Sequence, residues 1–294
     1  MTADAAPDAP AQPGPRGAGT PGLLDERSAR AERAEALAMG TFVGSVPGPA
    51  RSRFGITATR IGGATVLALA DDPTDYWSKA LGFGVTEPVT RELMTEVVRF
   101  YELSGARLAT VQLAPAALPE DWVEIAADLG LEQRASWVKL QRDLAVPGEL
   151  PEVRTDLRIA PVAEDQLAEW ARVLFSGFGM PADYDVMALS VDPAVFRRFA
   201  AWDGDRIVAA ASLVVDGDAA GMFGAATLPE HRGRGAQSGL LAARLRAAAE
   251  AGVRWVSAET GVETPGSRNP SLHNLRRAGL ADLYERPNWL WRAR

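Results

Sequence analysis

Along the chain, segments with apolar residues at helical spacing alternate with short apolar runs bounded by Gly, Pro and Asp. From Leu23 to Met39 an Ala-, Glu- and Arg-rich stretch predicts a helix, with Gly40 as its stop. Segments 54–61 and 64–70 predict a hairpin that turns at Gly62-Gly63. Leu93, Val97, Val98 and Tyr101 set a helix over 89–103 that ends at Gly105. A strand over 107–113, a helix over 120–129 closed by Gly130, and a strand over 137–142 follow.

Residues 145–156, with Pro147, Gly148 and Pro151, predict a linker. Beyond it the pattern gives a strand at 157–162, a helix at 164–175, a loop at 176–191 and a helix at 193–200. Strands 206–215 and 219–228 turn at Asp216-Gly217-Asp218. Helix 236–251, strand 253–259, helix 270–278 and two short strands, 281–285 and 289–293, complete the chain.

The two halves repeat one plan. At an offset of 147, Gly105-Ala106-Arg107 falls on Gly252-Val253-Arg254 and Leu93 on Leu240. With two more residues in the next loop, Gly130-Leu131 meets Gly279-Leu280, and both copies end in a Trp-led strand, Trp137–Leu140 and Trp289–Arg292. Shared element order makes duplication the better reading than a chance match of small residues. The copies differ where Val85-Thr86-Glu87-Pro88-Val89-Thr90 faces Arg232-Gly233-Arg234-Gly235-Ala236-Gln237. The first has no glycine there and sets Glu87 where an anion would sit. The chemistry is therefore expected in the second half, with a structural role for the first.

Composition narrows the picture. The 294 residues suit two domains, and 47% hydrophobic with 23% charged residues predicts a folded globular protein. Residues 1–22, rich in Pro and Gly without an apolar core, read as a disordered tail and not as a secretory signal. A net charge of −7 argues against a nucleic-acid partner, and no apolar run is long enough for a membrane span. The absence of cysteine removes thiol nucleophiles and cysteine-based zinc sites, and two histidines far apart, His231 and His273, leave no metal site in view. A cytoplasmic protein is expected; homodimerisation stays open.

Residues 226–239, ATLPEHRGRGAQSG, combine a strand end, a Gly-rich loop and a helix start. Pro229 ends strand pairing, while Gly233 and Gly235 allow positive φ and close backbone approach. The helix from Ala236 points free N–H groups and its positive dipole end at whatever lies in front of it. Arg232 and Arg234 add cationic, bidentate donors. The sum describes a pyrophosphate cradle. It lacks the Lys-Ser/Thr of a Walker loop, and Gly233, Gly235 and Gly239 are one residue off the dinucleotide spacing.

This loop resembles that of the GNAT superfamily of N-acetyltransferases, [Q/R]-x-x-G-x-[G/A], with Arg232 and Gly235 in place and Gln237 where the family prefers Gly or Ala. The resemblance covers about 155–294 in element order, and the first half resembles a decayed copy. It implies an α+β fold of two tandem GNAT-like domains, 23–144 and 157–294, each a mixed, mostly antiparallel sheet flanked by helices. It also implies acetyl-CoA or another acyl-CoA as cosubstrate, no metal, and transfer of an acetyl or short acyl group to an amine of a small molecule or peptide. A non-catalytic acyl-CoA-binding protein and a mycothiol-synthase-like enzyme are the alternatives.

By that resemblance the strand before the loop bulges, which Gly221 and Gly224 suit, and Ala226, Thr227 and Leu228 offer backbone groups to pantetheine. Arg232, Gly233, Arg234, Gly235, Ala236 and Gln237 hold the phosphates. Asn269, which also reads as a helix N-cap, would contact CoA. The family's thiolate-protonating Tyr falls on Leu275, leaving Tyr284 as the nearest substitute acid. Glu259, at the end of the strand flanking the acyl group, is the candidate base, with Glu230 and His231 as alternatives. Loop 176–191 is the natural substrate-facing segment.

Overall fold

The computed structural model describes residues 22–149 and 152–294. The expected tail, residue 22 apart, and two residues of the expected linker lie outside the described residues. The first half consists of α1 (Glu26–Gly44), α2 (Gly48–Arg53), β1 (Ile56–Ile61), β2 (Ala64–Leu69), β3 (Lys79–Leu81), α3 (Arg91–Leu103), β4 (Leu108–Gln112), α4 (Trp122–Leu129) and β5 (Glu132–Asp143). The second runs through β6 (Arg158–Pro161), α5 (Leu167–Gly177), α6 (Val186–Leu189), β7 (Phe196–Asp203), β8 (Arg206–Asp216) and β9 (Ala219–Thr227). It continues with α7 (Ala236–Glu250), β10 (Trp255–Gly261), α8 (Pro270–Arg277) and β11 (Ala281–Arg292).

The strands form one mixed, mostly antiparallel sheet in the order β1-β2-β3-β4-β11-β5-β10-β9-β8-β7-β6. The repeat read from the sequence is visible here. β4 and β10 match at the offset of 147, β5 and β11 at 149, and the paired glycines Gly130 and Gly279 both close a helix with positive φ, 69° and 79°. The halves also exchange their last strands. β11 pairs with β4 of the first half, Asn288–Arg292 against Gln112–Leu108. β5 pairs with β10 of the second, Asp143–Trp137 against Trp255–Gly261. β5 and β11 pair with each other at the centre.

Alternation along the strands divides the core by face. On β2, Leu67 and Leu69 point into a cluster with α1 and α5, while Val66 and Ala68 join α3 and α4. On β8, Ile207, Ala210 and Val214 join the α1–α5 cluster, and Val208 and Leu213 lie under α7 and α8. One helix, α1, thus packs on sheet strands of both halves.

Four expectations change. Gly40 does not stop α1, which continues to Gly44; a Cβ at residue 40 would meet Thr65 Cγ2 at 3.2 Å, so this glycine serves close helix–sheet approach. The helix expected at 193–200 is strand β7, buried along nearly its whole length, so that no period-two polar rhythm marks it. The two short strands at 281–285 and 289–293 are one strand, β11, and Pro287 lies at a register shift inside it. Loop 176–191 contains α6 and a preceding turn of 3-10 helix, Ala182–Asp185.

Candidate active site

The β9 strand breaks its own ladder. Ala211 pairs with Ala225 and Ser212 with Phe223, leaving Gly224 as the extra residue, at φ +52°. This bulge bends β9 away from β10. The two pair in parallel only from Ala219 to Gly221, opposite Trp255 to Ser257, so their remaining lengths diverge. The carbonyl of Ser212 beside the bulge accepts from Arg244 Nη1 at 3.2 Å. Arg244, on the buried face of α7 and at the cavity wall, has no carboxylate partner among the described residues, and burial pushes it down to about 10.

At the C-terminal end of β9 the Gly-rich loop leads into α7. Gly235 sits at φ +80°, and a Cβ there would stand 2.3 Å from the Arg154 carbonyl oxygen, so only glycine fits. No side chain caps the α7 N-terminus. Its counterpart α3 is capped by Thr90, whose hydroxyl accepts from the Leu93 N–H at 3.2 Å. The helix end without a side-chain cap therefore occurs in one copy and is closed in the other.

The two loop arginines separate. Arg234 is tied to Asp203 and Asp156, each at 2.5 Å, on the side of the loop facing those carboxylates. Arg232 is exposed and makes one long contact, to Thr227 O at 3.3 Å. Gln237 bridges α7 to α8, donating to Ser271 Oγ at 3.0 Å and accepting from Asn274 Nδ2 at 2.6 Å. Asn269 caps α8 through its Oδ1 and donates to Thr260 Oγ1 and the Gly261 carbonyl at 2.9 and 2.6 Å.

Between the diverging strands lies a cavity of about 540 Å³. Its walls include Gly221–Ala225 of β9, Ser257–Gly261 of β10, Gln237 and Leu241 of α7, and Ser271 and Leu275 of α8. Ala226, Thr227 and Leu228 lie just beyond these walls, and the Leu228 N–H already donates to Val208 O at 3.0 Å. The first half supplies much of the remainder: Glu35 and Phe42 of α1, Tyr76 and Trp77, and Trp137 and Lys139 of β5. The expectation of a purely structural first half is thereby corrected. Strand exchange brings β5 beside β10, and α1 crosses the sheet to reach both.

Where Glu259 enters this cavity, it belongs to a buried ionic cluster. Lys139 Nζ lies 3.1 Å from Glu259 and also contacts Glu35. Arg286 is fully buried, grips both oxygens of Glu32 at 2.8 and 2.6 Å, and reaches Glu35 and Glu259. Burial and the neighbouring Glu35 carboxylate raise Glu259 to about 7. Burial acts upward on Glu35 too, but the Arg286 and Lys139 cations hold its carboxyl well below the ordinary range. Tyr284 donates its hydroxyl to Glu32 Oε1 at 2.7 Å, away from the cavity walls, and burial raises it far above the usual phenol value. Glu230 is exposed, and His231 lies 3.5 Å from Asp203 outside the cavity.

The duplication gives this cluster a built-in comparison. Glu259 stands opposite Lys139 across β10 and β5. The matching positions of the other copy are Gln112 and Asn288, paired across β4 and β11, where Gln112 Nε2 donates to Asn288 Oδ1 at 2.9 Å. An acid–base pair in one copy is a neutral amide pair in the other. Sequence reasoning missed Glu35, Lys139 and Arg286; the 147 and 149 offsets applied to charged strand residues would have flagged Lys139. Among the described residues no group of acidic, His or Cys side chains is arranged to hold a metal ion, and no helix is long and apolar enough to cross a membrane.

The site is thus a strand pair that diverges at a bulge, followed by a Gly-rich loop and an uncapped helix, in an α+β fold. The family model of the acetyltransferase (GNAT) family matches residues 164–269, and the chain carries a GNAT domain there. No curated protein matches the chain in sequence. Among solved structures it is similar to a GCN5-related N-acetyltransferase from Kribbella flavida, at 18% identity and TM-score 0.58, covering 90% of this chain and 96% of that one. A tandem GNAT protein from the clavulanic acid biosynthesis pathway matches at 15% identity and TM-score 0.57, covering 89% and 96%. A GCN5-related N-acetyltransferase from Sphaerobacter thermophilus matches at 16% and 0.57, covering 81% and 75%. The fold is that of tandem GNAT proteins, and acyl transfer is the general activity of the family.

Proposed function

We propose that the chain is an acyl-CoA-dependent N-acyltransferase built from two GNAT-like units, 23–144 and 157–294, with its working site in the gap between β9 and β10. The observation that carries this reading is the position of Glu259: a carboxyl raised to about 7, lining a cavity that opens from an uncapped helix end. In this reading Arg232 and the N–H groups of Gly233 to Gln237 hold the pyrophosphate, and the pantetheine arm runs along the free edge of β9 at the Gly224 bulge.

An amine entering as an ammonium ion loses its proton to Glu259 and then attacks the thioester carbonyl. The N–C bond forms, the C–S bond breaks, and the second proton that the nitrogen must lose passes through solvent to the departing thiolate. A base with a pKa near the working pH is suited to this transfer, contributing typically about 10²–10⁴ in rate. Glu35, kept ionised, and Lys139 orient Glu259 and set its proton affinity. Leu275 brings no hydroxyl to the cavity, which fits a thiolate protonated without a dedicated Tyr.

The test is free-thiol release from acetyl-CoA across an amine panel, alongside calorimetric binding of acetyl-CoA. Release that depends on amine supports the reading. Binding without release with any amine would leave a non-catalytic acyl-CoA-binding protein, and no binding would refute both.

A further inference from the structure

The acceptor side of the cavity has a chemistry of its own. Glu259 and Glu35 share the cavity wall with Phe42, Tyr76, Trp77, Phe175 and Phe223. Phe42 stacks on Trp77 at 5.5 Å between ring centres, and Phe223 lies 5.3 Å from Phe42, so the rings form one continuous wall. That wall is held in place. Asp72, buried, accepts from the Tyr76 and Trp77 N–H groups at 2.9 and 2.8 Å and from the Tyr184 hydroxyl at 2.9 Å. Phe178, 51% exposed, and Met180 add apolar surface at the same cavity from the segment after α5.

Charge points the same way. Glu32, Glu35 and Glu259 face two cations, Lys139 and Arg286, which leaves one negative charge when all three carboxyls are ionised. Lys139 is held by Glu35 and Glu259 and is not free for an acceptor carboxylate. Lys79 is stacked on the Tyr76 ring at 3.5 Å and does not line the cavity; Arg244 does line it, from the α7 face of the sheet opposite the rings, and its guanidinium already donates to the Leu240 and Ser212 carbonyls at 3.1 and 3.2 Å. An ammonium group beside Glu259 completes the cluster, while Phe42, Phe175 and Phe223, most of the ring wall, carry no group that bonds a hydroxyl.

Resting on the acyltransfer reading above, we propose that the acceptor is a primary amine on an aromatic or comparably large apolar body, without a carboxylate. The rings and the Met180 side chain hold the body, and the residual negative charge holds the ammonium. A cation next to aromatic faces gains further from the ring quadrupoles.

The experiment pairs two readouts with 2-phenylethylamine, glucosamine and phenylalanine as probes. Calorimetry on protein saturated with CoA reads amine binding, and thiol release from acetyl-CoA reads transfer. The expected result is binding of 2-phenylethylamine and a kcat/KM at least about tenfold above that for the other two, the scale of one or two aromatic contacts. Phe178→Ser and Met180→Ser, both at the accessible rim, should each raise its KM about three- to tenfold while the fold, followed by circular dichroism, stays intact. Thiol release favouring glucosamine or phenylalanine would overturn the acceptor class and leave acyl transfer standing. Binding of 2-phenylethylamine without release would support the class and overturn transfer. Neither binding nor release with any probe would overturn both.

Discussion

At the scale of single residues, the buried ionic cluster bears on stability and holds the proposed base. Arg286 is fully buried with three carboxylates around it, so removing its charge strands Glu32 and Glu35 in a low-dielectric site. Arg286→Met should destabilise the protein by about 3–5 kcal/mol, read by equilibrium urea unfolding, since breaking one side of a buried pair leaves an uncompensated charge. A change within experimental error would mean that the cluster is solvated. The loop arginines should differ in kind. Arg232→Ala should weaken acetyl-CoA binding about tenfold and make it less sensitive to salt, the loss of one charge-assisted phosphate contact. Arg234→Ala, by freeing Asp156 and Asp203, should instead lower the melting temperature. Equal effects on binding would contradict this division. The sequence made Arg232, Gly235 and Glu259 legible because motif and strand-end position mark them locally. Glu35 and Arg286 carried no local mark, because they meet each other across 251 residues and Arg286 meets Glu32 across 254.

At the scale of elements, the β9 bulge, the Gly-rich loop and the α7 N-terminus act as one unit. Gly235 combines a positive φ with a backbone neighbour, the Arg154 carbonyl, that cannot swing aside. Gly235→Ala should therefore displace the loop and cost at least about tenfold in acetyl-CoA affinity, measured by calorimetry, together with a fall in melting temperature. An unchanged affinity would mean that the loop does not hold the phosphates. Most elements of this unit were readable from periodicity and turn residues. β7 was not, because both faces of that strand are covered, and its order, two arginines and then four apolar residues, carries no period of two. Gly40 misled for a related reason. Its local meaning is a helix stop, yet packing against Thr65 requires the same residue in mid-helix.

At the scale of the whole molecule, the exchange of β5 and β11 joins the halves more tightly than their sequence boundary implies. Residues 157–294 alone would leave β11 without β4 and β5, and β10 without β5. Such a fragment should fail to fold to a soluble monomer, and the intact chain should unfold in one transition by calorimetry; two separated transitions would contradict the interlock. The tandem plan was legible from the offsets of 147 and 149, but the exchange was not. A repeat in sequence fixes which segments are equivalent, and says nothing about which copy each strand pairs with. That pairing brings Lys139 opposite Glu259, and it turns a scaffold copy into one wall of the site.

The most direct test of the account is the pH dependence of amine-dependent thiol release from acetyl-CoA, compared between the unmodified protein and Glu259→Gln. As the proposed base, Glu259 would act only when deprotonated, so release should rise with pH through about 7, where burial and Glu35 set its carboxyl, and level off above. In Glu259→Gln the rate should fall by about 10²–10⁴ and this rise should vanish, with acetyl-CoA binding retained. Equal rates and equal profiles in the two proteins would contradict the assignment of Glu259 as the base.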